Sequence, residues 1–302
     1  MSNLSALMGE EPGIKVIDFS QIVIAAVTAN FEPNDVNMDM MRHVALNSIK
    51  FNIKKFKKAY PITVIARDNG ENGYWRRDLA YYYKKHRKLK HEEEKDEGGW
   101  DWDNIYTCLN TVFKEVKENF PYICIDVDKA EADDIIGVLS KKFGPERDVL
   151  VISSDGDFTQ LHKYGIRQWS PMMKKWVKCK HGSPRRDLLM KIIGGDQKDT
   201  IANIKSESDY FYTREKGDRA PVISKKFLAP LLEAKDPKEI LTGKELQRYE
   251  ENEKLLDLDL IPDNIEREIL RQFEVKPAGR GKIYKYLVKN GLTKLMQDMD
   301  DF

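Results

Sequence analysis

No stretch of this 302-residue chain stays apolar for long. The longest run, Ile22 to Val27, falls far short of the about 20 residues that a membrane helix needs. The first residues carry neither the basic nor the apolar part of a signal peptide, so no membrane contact is expected and a cytosolic protein is. Cysteine is scarce: Cys108, Cys124 and Cys179 form no CxxC pair, which argues against a disulfide framework and against a structural zinc. The five histidines have no metal-ligand spacing, and no internal repeat is present. Excess charge of one sign is also lacking, with 51 Lys and Arg opposing 50 Asp and Glu. A whole-chain sum hides local segregation, however, and polyanions respond to local fields. The only low-complexity patch, His91 to Gly99 (HEEEKDEGG), reads as a mobile loop.

Enough apolar residue remains, 41%, for a packed core, and the length suggests about two domains. Four short β-branched runs stand out: Lys15–Phe19, Ile62–Ala66, Tyr122–Val127 and Val149–Ile152. Between the first two, Met41, Ala45, Ile49, Ile53 and Phe56 recur at helical spacing, with Asn37 or Asp39 available as N-cap. Ile105, Leu109, Val112 and Val116 mark a second helix, and Ile135, Leu139 and Phe143 a third. Such alternation predicts an α/β fold, with a mostly parallel central sheet covered by helices on both faces. From Ser183 onward the pattern is mostly helical, which predicts an α/β domain over residues 1–182 and a smaller helical domain over 183–302.

The carboxylates are placed unevenly. Asp18 and Asp68 follow strands, Glu131 and Asp133 (in EADD) open a helix, Asp155 and Asp157 (in SSDGD) follow a strand, and Asp196 and Asp199 share GDQKD. Asp18, Asp68 or EADD alone reads as a turn or a helix cap, whereas SSDGD alone fits a turn and an ion site equally. Together they fall at the edge of a parallel sheet where ligands bind. Gathering ionised carboxylates in a partly dry site is repulsive without cations, and an oxygen-rich set without histidine suits Mg2+, with Mn2+ as substitute. There are enough acids for two ions about 4 Å apart, an arrangement that clamps a phosphate. Asp126, Asp128 and Asp134 are set aside as bystanders.

Positive charge is concentrated in residues 73–90 (GYWRRDLAYYYKKHRKLK), with seven Arg or Lys, five Tyr or Trp, and one acid, Asp78. Cations neutralise phosphates and aromatic faces stack on unpaired bases, a combination suited to single strands. Two other function classes stay open on these residues. An aspartyl-nucleophile phosphatase needs DxDxT, whereas DFSQ at Asp18 has a single acid. A DNA-binding accessory without catalysis would not gather acids that repel the phosphates it holds.

As an ordered set, IDFS, RDNG, EADD, SSDGDFTQL and GDQKD resemble the flap endonuclease and 5′-nuclease superfamily over nearly the whole chain. The resemblance implies a PIN-like sheet and an Mg2+-dependent 5′ to 3′ exonuclease with flap endonuclease activity. Its substrates would be DNA and RNA–DNA duplexes, and its role the removal of RNA primers during lagging-strand replication, leaving 5′-phosphates. It implies Asp18, Asp68, Glu131, Asp133, Asp155, Asp157 and Asp199 as metal ligands, with Asp196 contributing beside them. The basic segment resembles the family's flexible helical arch, residues 73–99. Arg76 and Lys84 would then approach the scissile phosphate, Tyr83 would stack on a base, and Arg77, Lys85 and Arg87 would contact substrate. After Asp199 the glycines of the family's helix-hairpin are mostly missing, which puts its monovalent-cation site in doubt. Lys205, Arg214, Lys216, Arg219, Lys225 and Lys226 are left as candidates for duplex contact. The resemblance further implies a monomer that meets a sliding clamp through Leu4, Leu7 and Met8, and a single-strand-binding protein through its C-terminal region.

Overall fold

The apolar runs read as strands do pair, and their register sets where every acid lies. The computed structural model describes residues 11–215 and 217–302, the side chains of residues 34, 88 and 89 excepted. Leu4, Leu7, Met8 and Lys216 therefore lie outside the described residues. The chain runs β1 (Ile14–Asp18), α1 (Phe19–Asn30), α2 (Met38–Phe56), β2 (Ile62–Ala66), α3 (Trp75–Leu79), α4 (Lys85–Asp96), α5 (Trp102–Asn119), β3 (Ile123–Ile125), α6 (Ala132–Phe143) and β4 (Val149–Ile152). It continues through β5 (Arg167–Ser170), β6 (Lys175–Trp176), α7 (Pro184–Gly194), α8 (Tyr210–Thr213), α9 (Lys225–Glu233), α10 (Gly243–Leu256), α11 (Asp263–Phe273) and α12 (Gly281–Lys289).

The sheet order is β3-β2-β1-β4-β5-β6, parallel throughout except for β6, which forms a hairpin with β5. A side-chain period of two divides the strands between two apolar layers. Ile17, Ile65, Leu150 and Ile152 face the layer closed by α1, α2 and α5, while Val16, Val64, Val149 and Val151 face the layer closed by α6. Helix α5 shows the local cause. Asp101 caps its N-terminus, and Ile105, Cys108, Leu109, Val112, Phe113 and Val116 form one buried stripe. Each such apolar side chain contributes about 1.5 to 3 kcal/mol when removed from water. Of the two N-cap candidates for α2, Asn37 takes the role, accepting from the amides of Asp39 and Met40.

Two expectations need correction. His91–Gly99 is not a loop for most of its length, because α4 extends to Asp96. Its C-terminal half is held by His91 stacked at 4.4 Å on Trp102 and by the Trp102 indole donating to Glu94 at 2.7 Å. Nor do residues 183–302 form one separate helical unit. Leu258, Ile261, Ile265 and Ile269 pack on α6, where a Cβ on Gly137 would come within 3.2 Å of Leu258. Ile283, Tyr286, Leu287 and Phe302 complete the α2–α5 layer, with Phe302 5.2 Å from Phe120. Among the described residues, those from α7 to α10 build a further core together with Ala80, Tyr82 and Tyr83 of the basic segment.

Candidate active site

Parallel strands share one carboxyl edge, so residues that follow different strands converge there. Asp18 ends β1, Asp68 lies two residues beyond β2, Asp155 and Asp157 follow β4, and Glu131 and Asp133 begin α6. Asp196 and Asp199 come from the turn after α7, which folds back through mutual backbone bonds between Asp196 and Ile201, both 2.8 Å. That turn needs Gly195: its φ is +74°, and a Cβ there would lie 2.4 Å from the carbonyl oxygen of Ile201. All eight acids line one cleft of about 960 Å3, together with Arg77, Lys84, Arg87 and Lys191. Asp157, Asp196 and Asp199 each place a carboxylate oxygen within 4.8 Å of the others.

The acids are positioned by ordinary capping chemistry. Asp18 accepts from the Gln21 amide at 3.2 Å and from the Ser153 hydroxyl at 3.0 Å, and Asp68 accepts from the Ala132 amide at 2.9 Å. Asp155 accepts from the Asp157 amide at 2.9 Å. Crowding then acts on their protonation. Burial, with Asp68 next, pushes the Asp18 carboxyl up to about 7. Burial, with Asp155 next, pushes Asp157 up to about 7, and burial raises Asp133 as well, with Asp155 and Glu131 adding to the rise.

Glu131, expected among the metal ligands, is instead taken up by donors of the protein itself. Its carboxylate receives the Arg76 guanidinium at 2.8 Å, the Tyr83 hydroxyl at 2.9 Å and the Lys84 ammonium. Burial alone would raise its pKa, but Lys84 and Arg76 outweigh that and hold it far below the usual carboxylate range. Lys84 also stands 3.8 Å from Asp199, and Arg87 donates to Asp199 at 2.6 Å. The Lys84 backbone is left-handed, with φ +54°, and its amide donates to the Asp199 carbonyl at 3.0 Å, which fixes the turn that aims its side chain into the cleft.

Several site residues read from sequence sit elsewhere. Arg76 is 2% exposed, donates to Glu131 and to the Leu255 carbonyl at 2.9 Å, and forms an ion pair with Asp134 at 2.8 Å, so it faces the interior rather than a phosphate. Tyr83, also 2% exposed, offers no free face for stacking. Both corrections have one cause: a buried carboxylate at a helix start needs a counter-charge and hydrogen-bond donors, and Arg76 supplies the first and Tyr83 one of the second. Asp134, set aside from the acid cluster, does lie outside the cleft lining, fully buried and accepting from the Trp75 indole at 3.0 Å and from the Glu131 amide at 2.9 Å. Asp126 lies outside the cleft, bound by Arg67 and Lys117, and Asp128 accepts from Asn72. Lys85 is exposed on the outer side of the turn. Lys205 lies 3.9 Å over the Phe227 ring, Arg214 lies 5.3 Å over Phe211, and Arg219, Lys225 and Lys226 are exposed, all away from the cleft lining.

Sequence reading missed Lys191, whose ammonium bridges Asp157 and Asp196, the latter at 2.8 Å. Its position inside an apolar helical pattern disguised it, and its spacing of five residues from Asp196 was the only signal. The fit to divalent cations is good on chemical grounds: an all-oxygen donor set, short of positive charge, where ammonium groups already occupy the points of greatest need.

Comparison with known proteins follows the same lines. Residues 16–182 match the family model described as 5′-3′ exonuclease, N-terminal resolvase-like domain, and residues 182–302 match that described as T4 RNase H, C terminal. The chain is 47% identical over 296 residues to "Ribonuclease H" of Enterobacteria phage T4, covering 96% of each. Among solved structures it resembles a bacteriophage T5 flap endonuclease in complex with DNA and metal ions, with a TM-score of 0.62 at 18% identity over 87% of this chain and all of that one. It also resembles a T5 5′-exonuclease with zinc bound, with a TM-score of 0.57 at 17% identity over 92% of this chain and 98% of that one.

Proposed function

The chain belongs to the 5′-3′ exonuclease family, matched along its length as a T4-type ribonuclease H, and from that premise we propose how the cleft cuts nucleic acid. It is a metal-dependent phosphodiesterase that acts on DNA and RNA–DNA duplexes at a 5′ end or flap, and it removes RNA primers during lagging-strand replication. The observation that carries this reading is the convergence of eight acids from separate segments on one cleft with too few cations of their own.

Asp18, Asp68, Asp133 and Asp155, with Asp157, Asp196 and Asp199, are the residues that would hold two Mg2+ ions. When bound, such ions supply charge neutralisation and acidify a water for attack on phosphorus. The protein's own part is placement. Lys84, partly exposed within the cleft, stabilises negative charge that develops on the phosphoryl oxygens, and Arg87 and Arg77 orient the strand. Arg76 and Tyr83 act at one remove, fixing Glu131 and through it Lys84. Attack in line expels a 3′-oxygen and leaves a 5′-phosphate.

Outside the cleft, Lys205, Arg214 and Arg219 would contact the duplex backbone beyond the cut. A sliding clamp at Leu4, Leu7 and Met8 and a single-strand-binding protein at the C-terminal region complete the proposed assembly around a monomer. Among the described residues no helix is long and apolar enough to cross a membrane, and we place the protein in the cytoplasm where replication runs. The test is a 5′-labelled RNA primer annealed to DNA, incubated with and without Mg2+. Short 5′-phosphorylated products that need Mg2+ are expected, and an intact primer in Mg2+ would remove the reading.

A further inference from the structure

Three consecutive tyrosines, Tyr81 to Tyr83, do not share one environment. Tyr82 and Tyr83 are buried in the core built on α7 and α10, while Tyr81 between them and Ala80 points outward and is 52% exposed. A second exposed ring meets it from a distant part of the chain: Tyr212 of α8, 41% exposed, stands edge-on to Tyr81 with centroids 5.9 Å apart and planes at 86°. The pair is held rigidly. Tyr81 is also edge-on to buried Tyr82 at 5.6 Å, and its hydroxyl donates to Asp209 at 2.5 Å. The Lys85 ammonium lies 5.4 Å from the Tyr81 centroid and 5.2 Å from that of Tyr212. Beside Tyr81 opens a pocket of about 400 Å3, lined also by Glu207, Asp209 and Glu251. Glu207 is ion-paired with Lys244 and Glu251 with Arg248, and Lys254 also lines the pocket, which leaves Asp209, held by the neutral Tyr81 hydroxyl, as the acid there without an ion-pair partner among the described residues.

Two locked aromatic faces left in water, with a cation across them, suit a ligand that is planar and anionic along its backbone. We propose that Tyr81 and Tyr212 form a stacking platform for unpaired bases of the 5′ single strand, with Lys85 neutralising its phosphate. This rests on the nuclease reading for the identity of the strand. Tyr81 and Lys85 flank Lys84, so the platform and the cleft are opposite sides of one turn. A strand leaving the cleft at Lys84 has only that turn to cross before it reaches the rings.

The test uses the full chain and two substrates, a duplex with a 5′ flap carrying 2-aminopurine among its unpaired bases and a blunt duplex of the same sequence, both in Ca2+ to separate binding from cutting. Binding of the flap to the wild type is expected to quench 2-aminopurine. Tyr81→Ala with Tyr212→Ala is expected to relieve the quench and lower the ratio of flap to blunt affinity about ten-fold. Tyr81→Phe, which keeps the ring but loses the bond to Asp209, is expected to retain both. Equal weakening toward both substrates, an unchanged ratio, or a phenylalanine variant that behaves like alanine would overturn the platform. Cleavage in Mg2+ is followed separately. A protein that quenches the flap but never cuts it keeps the platform and rejects the nuclease reading, and one that cuts without any change in the ratio does the reverse.

Discussion

The two ends of the acid cleft are built on opposite electrostatic terms. At one end Glu131 meets a guanidinium, a phenol and an ammonium, and its carboxyl is held far below the usual range even though it is buried. At the other, Asp18 and Asp157 are buried among other acids and pushed up to about 7. Both ends gather carboxylates at helix starts and strand ends, so local geometry does not separate them. What separates them is whether the protein brings its own counter-charge. Where it does, the acid orders the fold around the basic segment. Where it does not, the acid is left to be completed by a cation from solution.

That contrast is most sharply tested by neutralising acids at the undercharged end. Asp133→Asn and Asp155→Asn should each lower single-turnover cleavage by at least about 10^3-fold, the scale expected when metal-assisted charge stabilisation is lost, with substrate affinity in a gel-shift assay retained. Parallel loss of affinity and rate would mean these acids merely support the fold. At the compensated end the effect should fall on stability. Arg76→Met leaves Asp134 buried without its ion-pair partner and Glu131 with Lys84 alone as counter-charge, and should cost about 3 to 5 kcal/mol in urea unfolding. Lys84→Met, at a side chain that reaches the cleft, should spare most of that stability and lower the rate about 10^2-fold instead. If Arg76→Met proved as stable as wild type but slow, its assignment to the interior would fail.

The same contrast explains what could be read from the amino acids alone. Asp18, Asp68, Asp155 and Asp157 were legible because a parallel strand ends where ligands collect, and that follows from order along the chain. Arg76 and Tyr83 were misread because a run of cations and aromatics reveals its composition but not its rotation. Only the packing of Ala80, Tyr82 and Tyr83 onto α7 and α10 decides which side chains turn inward. The mostly helical pattern after Ser183, which holds α11 and α12, was legible, since apolar spacing shows that one face of each helix is buried. It does not show against what, and here both faces return to the first domain. Lys191 was hidden for a related reason, as its charge is matched across a turn and not along a helix face.

Acidity gives a further separation. Asp18 and Asp157 have folded pKa values raised above 3.8, so the metal-free native state holds more protons than the unfolded chain as pH climbs from about 4 to about 7. Its stability should therefore decline over that window and level off above it. Glu131 is shifted the other way, and its contribution is present above its unfolded value of 4.5 and lost only as pH falls toward its folded one. Calorimetry of the metal-free protein at pH 5, 6, 7 and 8 should show melting temperatures falling by several degrees up to pH 7. Millimolar Mg2+ should recover most of that loss at pH 7 and little at pH 5, since protonated carboxyls do not bind it. A metal-free protein that gained stability through this window would show the undercharged end to be compensated after all.

The smallest expected effect concerns the cation seated between two acids of the undercharged end. The Lys191 ammonium bridges Asp157 and Asp196, two of the three acids whose oxygens lie within 4.8 Å of one another, and so occupies space a divalent ion would need. An ion entering there must push the ammonium aside and forfeit part of that pairing. Lys191→Met removes the competitor, so Mn2+ affinity followed by electron paramagnetic resonance should rise about three- to ten-fold. The metal-free variant, with Asp157 and Asp196 facing each other, should melt a few degrees lower, a loss that saturating Mn2+ reverses. Unchanged or weaker Mn2+ binding would mean the lysine helps to shape the site rather than holding its place, and the two ends of the cleft would then differ only in degree.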